Sequence, residues 1–253
     1  MAMLAALEAW GVLGIGQMIG VGLAGGLDET ALVERFFNRM DRDDYDLGVA
    51  ARLRALEDSG YIQGHSFLRQ PKAFTLSHKG FEALSEEPRQ ARSEVRGEVS
   101  EALIRHDLKV SAVGLVLAQI LALPARREHP QVVWSASEGR RRLTLEGVSD
   151  VWIDAQPPRA VEVELTQKSR GRYAEIFENY RRRLPRGGAV VYLAGWPGGV
   201  DMILRNAREQ RAPFVFAGAL DEFARTAGRA AFQGAVEGRT MGMLEDCVPA
   251  AAR

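Results

Sequence analysis

The sequence holds a single cysteine, Cys247, and four histidines, at positions 65, 78, 106 and 129. One thiol excludes an internal disulfide and a cysteine-based zinc site. The histidines form no HxH or HExxH spacing, so a histidine-held metal is not expected. No GxxxxGK[ST] stretch is present, and no nucleotide motor of that kind is implied. An excess of either charge is also missing: 33 Lys plus Arg balance 33 Asp plus Glu. Any surface for nucleic acid must therefore be local. The remaining composition, 46% hydrophobic and 26% charged over 253 residues, is that of an ordinary globular chain. With so little cysteine, a reducing cytoplasm is the expected location.

The longest uncharged stretch lies between Glu8 and Asp28, and seven of its nineteen residues are glycine. It is long enough to span a bilayer and contains Gly16-x-x-x-Gly20. Bulky apolar residues are sparse, however, and no Lys or Arg precedes it. The expectation is a buried, glycine-broken helical pair and no membrane insertion.

The pattern divides near residue 95. Residues 1–93 read as short helices followed by a hairpin. Leu4, Leu7 and Trp10 mark a first helix, and LDETALVERFFNRM, capped by Asp28, a second. After the acidic turn DRDDYD, Val49, Leu53 and Leu56 mark a third. Ser59-Gly60 ends it, and two extended runs, YIQGHSFLR and KAFTLSHKG, follow. Residues 88–100 are polar and read as a linker. Residues 94–230 read as an α/β domain that opens with a long apolar-striped helix ended by Pro124. The segments QVVWSA and RRLTLEG look extended, and GVSDVWID and RAVEVELT are clearer strands. An amphipathic helix, GRYAEIFENYRRRL, and further strands and helices follow, giving a mixed sheet with helices on both faces. Residues 231–253 have little pattern and are expected to form a loosely held tail.

Chemistry concentrates on the second strand pair. Along RAVEVELT, Glu162 and Glu164 point to one side, and Asp150 on the neighbouring strand can converge with them. Carboxylates buried side by side repel unless a cation or proton intervenes. A hard divalent ion, Mg2+ or Mn2+, held by Asp150, Glu162 and Glu164 is one answer. A solvated sheet face with Val/Glu alternation is the other. Lys168, four residues beyond Glu164, could face a phosphate. Between residues 166 and 186, Lys168, Arg170, Arg172, Arg181, Arg182, Arg183 and Arg186 stand against only Glu175 and Glu178. They are either a phosphate-binding face or a solvated helix. Tyr173 and Tyr180 are assigned to packing. His106, next to Asp107, is read as a structural hydrogen-bonding residue or an accessory part of the site.

The stretch ARLRALEDSGYI followed by KAFTLSHKGFEAL resembles winged-helix variants of helix-turn-helix domains. That resemblance implies a third helix in the major groove of double-stranded DNA and a wing on its backbone. Arg52, Arg54, Arg69, Lys72 and Lys79 would be the contacts; a protein-docking winged helix is the alternative. The acids resemble the restriction-endonuclease-like PD-(D/E)xK signature, with Asp150 and Glu162 as its acids and Glu164 standing where the lysine belongs. The two halves together, including LIRHDLKV, VSDVWID and AVEVELTQKSRGRYAEIFENYRR, resemble the replication-relaxation family and the MobC-type plasmid-mobilisation relaxases. The resemblance implies a protein that recognises a transfer or replication origin and nicks one strand. Asp150, Glu162, Glu164 and Lys168 would be its catalytic set, and Arg170, Arg172, Arg181 and Arg182 would be further DNA contacts. Partners would include other transfer or replication proteins and a second copy of the chain. The competing expectation is a non-enzymatic DNA-binding regulator whose nuclease-like domain serves dimerisation or docking.

Overall fold

A computed structural model describes residues 4, 6, 7, 10, 12–23, 28–37, 47–66, 72–84, 101–127, 149–243 and 248–249. They fall into two compact units, the first reaching Ala112 and the second beginning at Val113. The architecture is mixed α/β, with N-terminal helices and a larger mixed sheet. The acidic turn DRDDYD, Arg69, the linker 88–100 and the segments QVVWSA and RRLTLEG lie outside the described residues.

In the first unit Leu4, Leu7 and Trp10 are helical and buried, as their spacing predicts. The glycine-rich stretch departs from expectation. Instead of a pair of helices it forms a strand, β1 (Val12–Gly14), and one nine-residue helix, α1 (Ile15–Leu23). The strand exists because it has a partner. Helix α2 (Glu29–Phe36), helix α3 (Leu47–Asp58) and strand β2 (Ile62–His65) lead to strand β3 (Ala73–Leu76), which pairs antiparallel with β1 and β2 in the order β1-β3-β2. A Cβ added at Gly20 would lie 2.8 Å from the Phe36 ring, so that glycine lets α1 approach α2. Among the described residues no helix is long and apolar enough to cross a membrane.

Asp28 caps α2 as expected, accepting from the Ala31 amide at 2.8 Å. Helix α3 ends at Ser59-Gly60, where Gly60 takes φ +74°. After β3 come α4 (His78–Leu84) and α5 (Glu101–Leu115), which continues as one π-helical turn over Val116–Ile120. A fully buried side chain that no pattern marked, Gln17, ties these pieces together. It accepts from the Gly14 amide (2.8 Å) and donates to the carbonyls of Phe36 (2.9 Å) and Leu108 (2.8 Å). Its amide is thereby satisfied at three points, as a buried polar group requires.

The second unit is built on seven strands in the order β11-β10-β9-β8-β7-β5-β4. Strands β4 (Ala125–Arg127), β5 (Val151–Ile153) and β7 (Arg159–Glu164) pair antiparallel. The short β6 (Ala155–Gln156) lies in the connection between the last two and pairs with β12 (Val248–Pro249). Helix α6 (Arg170–Arg183) then crosses to β8 (Ala189–Ala194), parallel to β7. Helix α7 (Gly199–Glu209) crosses to β9 (Val215–Ala219), parallel to β8. Helix α8 (Leu220–Arg225) leads to β10 (Ala231–Gly234) and β11 (Thr240–Gly242), both antiparallel.

These last strands correct the reading of a loose tail from residue 231. Phe232 is fully buried, its ring fitting where Gly218 has no side chain: a Cβ there would lie 2.7 Å away. Arg159, also buried, donates to the carbonyls of Gly242 and Met243, both at 2.7 Å. Two short strands held by one aromatic ring and a distant arginine leave little local periodicity to read.

Helices α6 and α7 pack on the same face of the sheet, where Tyr173, Phe177, Tyr180, Ile203 and Leu204 meet Trp152, Ala160 and Tyr192. The opposite face of the central strands carries Val151, Ile153, Val161, Val163, Val191 and Leu193, each 0% exposed.

Candidate functional site

Strand geometry brings the three acids to the face under α6. Val151 pairs with Val161, so Asp150 comes level with Glu162, and Glu164 follows two residues on. Asp150 is further fixed by the Val163 amide, which donates to its Oδ2 at 2.8 Å. Asp150 is 8% exposed and Glu164 3%. A solvated sheet face is thereby overturned as the reason for the Val/Glu alternation, since α6 lies over it.

Each carboxylate meets a compensating group. Lys168 forms an ion pair with Glu164. The Tyr180 hydroxyl donates to Glu162, and the Tyr173 hydroxyl lies 3.5 Å from Glu164 Oε2. Helix α6 makes this possible: Ser169 caps its start by accepting from the Arg172 amide, and its stripe of Tyr173, Ile176, Phe177 and Tyr180 faces the sheet. The two tyrosines do pack, but their hydroxyls also reach the acids. A third, Tyr192, lies in register with Glu162 on the neighbouring strand. Its ring meets Tyr173 and Phe177 edge-on at 6.5 Å and 6.0 Å. A visible clue was available: Tyr180 follows Tyr173 by seven positions, on a stripe where leucine would pack as well, and Tyr192 interrupts an otherwise aliphatic strand.

Ionisation follows from this burial. Desolvation pushes the Lys168 ammonium below its ordinary value, against the pull of Glu162 and Asp150 and with added repulsion from Arg172. Burial, with the negative field of Glu162, holds the Tyr180 and Tyr192 phenols well above theirs. Burial also raises Tyr173. Among the described residues no group of three His, Cys, Asp or Glu side chains is placed to hold a metal ion. Glu164 is engaged by Lys168, whose ammonium also lies in the field of Glu162 and Asp150.

The arginines of α6 separate by flank. Toward α7, Arg170 pairs with Glu209 (3.1 Å), and Arg181 donates to the Gln210 carbonyl (2.9 Å) and lies over the Phe214 ring. Toward β5, Arg183 lies 5.1 Å over the Trp152 ring, and Arg172 lies close enough to Lys168 to repel it. Arg172 also pairs with Glu175 (3.0 Å), and Arg182 with Glu178 (3.1 Å).

In the first unit the expected DNA contacts diverge as well. Arg52 and Arg54 are exposed on α3. Lys72 is spent on Glu57, with Nζ 2.7 Å from Oε2, and Lys79 donates to the Ser59 carbonyl at 2.8 Å while covering the Tyr61 ring. Lys72 braces the start of β3 against α3, and Lys79, on α4, holds the end of α3. His106 belongs to the first unit, with Nδ1 3.6 Å from the Oδ1 of the fully buried Asp107, whereas the acidic cluster is built from the second. Comparison with protein-family models, curated proteins and solved structures finds no match for this chain.

Proposed function

We propose that the chain is a DNA-binding protein whose first unit is a winged helix and whose second is a restriction-endonuclease-like domain that nicks one strand with a divalent metal, as in mobilisation and replication-origin relaxases. The observation that carries the reading is the convergence of Asp150, Glu162, Glu164 and Lys168 on one sheet face beneath α6. Further support comes from connectivity. An antiparallel β4-β5-β7 meander followed by a helical crossover to parallel β8 is the arrangement the PD-(D/E)xK resemblance implies. The β2-β3 hairpin after α3, extended by β1, and the exposed Arg52 and Arg54 suit a wing and a groove-reading helix on double-stranded DNA.

The donor chemistry fits Mg2+ or Mn2+, hard ions that take carboxylate oxygens and keep several waters. Asp150 and Glu162 would hold the ion, which supplies a water of lowered pKa and charge neutralisation at phosphate. Glu164 holds Lys168 by an ion pair, and the ammonium of Lys168 is then available to a phosphate oxygen. Arg172, next to it, adds positive charge at the same edge.

The test is supercoiled plasmid carrying the transfer or replication origin of the replicon that encodes the chain, incubated with Mg2+ or Mn2+. Wild type is expected to nick it, and Asp150→Ala and Glu162→Ala to slow nicking by about a hundredfold or more. Nicking that persists in both variants would place the chemistry elsewhere. The second reading, a regulator with a catalytically silent domain, draws on the Lys168–Glu164 pair, which neutralises part of the cluster without any metal. DNA binding with no nicking under any metal would establish it.

A further inference from the structure

Tyr192 is a poor choice of residue if packing is its only task. It is 0% exposed, and its hydroxyl has no hydrogen-bond partner among the described residues. A buried, unsatisfied hydroxyl is destabilising, and phenylalanine would fill the same space without it. The neighbouring tyrosines are satisfied: Tyr180 by Glu162, Tyr173 by Glu164. Tyr192 stands in register with Glu162 and lies in the field of both Glu162 and Asp150. A cation held by only two carboxylates retains much of its hydration shell, and the waters in that shell need hydrogen-bond partners.

We propose that Tyr192 is an outer-shell residue of a divalent-cation site at Asp150 and Glu162, its hydroxyl hydrogen-bonded to an oxygen of the cation's hydration shell, with Tyr180 holding the Glu162 carboxylate in place for it. The proposal rests on the metal-binding reading of the cluster and deepens it. Tyr192 touches the shell and not the substrate. Tyr180 acts through Glu162 and is a positioning residue.

The experiment uses the full chain, Mn2+ as the probe, and two readouts independent of activity: calorimetric Mn2+ affinity and the unfolding temperature with and without Mn2+. Wild type is expected to bind Mn2+ and to be stabilised by it through mass action. Tyr192→Phe should unfold, without metal, at or above the wild-type temperature, because an unsatisfied hydroxyl has been removed. The same variant should bind Mn2+ about five- to tenfold more weakly, the loss of one hydrogen bond. Tyr180→Phe should weaken Mn2+ binding by a similar factor. Unchanged Mn2+ affinity in Tyr192→Phe would overturn the proposal and leave the metal site standing. A metal-free unfolding temperature well below wild type would also overturn it, by showing that the hydroxyl is bonded within the fold. Absence of Mn2+ binding by folded wild type would remove the metal reading itself, and the proposal with it.

Discussion

Strand β7 divides its side chains between two unlike surfaces. Val161 and Val163 enter a face that Val151, Ile153, Val191 and Leu193 fill without a gap for solvent. That is the ordinary condition of strands buried on both sides, whose residues run continuously apolar. Glu162 and Glu164 enter the other face, which lies beneath α6 and gathers three carboxylates, an ammonium and three phenols. Both faces are interior; only one is simple. A chain that needed this sheet for stability alone could carry aliphatic residues on both sides of β7 and avoid the desolvation of every charged group. The polar face is the place where the sequence departs from what the fold by itself requires, and the proposed function draws on that departure.

The contrast can be broken most directly at Lys168. Replacing it by Met leaves Glu164 buried without its cation, and urea unfolding should show a loss of about 3 kcal/mol. The double variant Glu164→Gln/Lys168→Met should recover most of it, since neither charge then remains. A loss under about 0.5 kcal/mol in the single variant would mean that the pair is solvated and the two faces are energetically alike. On the apolar face, Val163→Ala should cost about 2 kcal/mol through the cavity it leaves. Nicking measured well below the unfolding temperature should stay at the wild-type rate, because the substitution trims a side chain on the opposite face and keeps the backbone amide that donates to Asp150. If Val163→Ala silenced nicking in the folded protein, the separation of a structural face from a chemical one would fail.

A finer comparison concerns the two flanks of α6. The α7 flank holds Arg170 and Arg181 against Glu209 and backbone carbonyls, whereas the β5 flank, which carries Lys168, holds Arg172, paired with Glu175, and Arg183, over Trp152. If Lys168 meets phosphate, the second pair, on its flank, should meet it too. Arg172→Ala/Arg183→Ala is expected to weaken single-strand binding by about tenfold and to reduce the slope of log affinity against log salt by about 1.4, two phosphate contacts' worth. Arg170→Ala/Arg181→Ala should change either quantity little. The reverse ranking, read by fluorescence anisotropy over a salt series, would move the nucleic-acid path to the α7 side.

How much of this was legible in the sequence varies with the range of the interaction. Local signals read well: the Asp28 cap, the Ser59-Gly60 stop, the hairpin runs and the period-two alternation that put Glu162 and Glu164 on one side. Strand β1 was not legible, because three residues next to glycine become a strand only through their pairing with β3, some sixty positions away. Strands β10 and β11 were hidden for the same reason, depending on Gly218, Phe232 and Arg159. In the site, residue type and spacing pointed to the acids and to Lys168. Tyr173 and Tyr180 read as packing, since an apolar stripe does not reveal what its hydroxyls reach. The split of the arginines between flanks required knowing which neighbours α6 has on each side.

The tyrosines give the smallest predicted effect and the one specific to the polar face. Their phenols are held above the ordinary value of 10.0 in the folded chain, mainly by burial, and ionise near that value once unfolded. Below pH 10.0 both states are protonated and the contribution to stability is fully present. As pH rises past 10.0 the unfolded chain gives up protons that the folded chain retains, so stability falls, by up to about 1.4 kcal/mol per pH unit for each such tyrosine. Lys168 works in the opposite direction. Its folded value lies below the ordinary 10.5, so as pH climbs through the interval between the two values the folded chain releases its proton first and gains stability. Three phenols against one ammonium leave a net loss on the alkaline side. Tyr192→Phe removes one of the three, and the decline in unfolding free energy over the first half unit above pH 10.0 should be shallower than in wild type by under about 1 kcal/mol. Ultraviolet titration of phenolate supplies the companion readout: the folded wild type should show fewer tyrosines ionising near pH 10.0 than the urea-unfolded chain, and Tyr192→Phe should narrow that difference by one. An unchanged difference would mean that Tyr192 ionises as freely in the folded protein as outside it, and the face beneath α6 would then be wetter than the apolar face it is contrasted with.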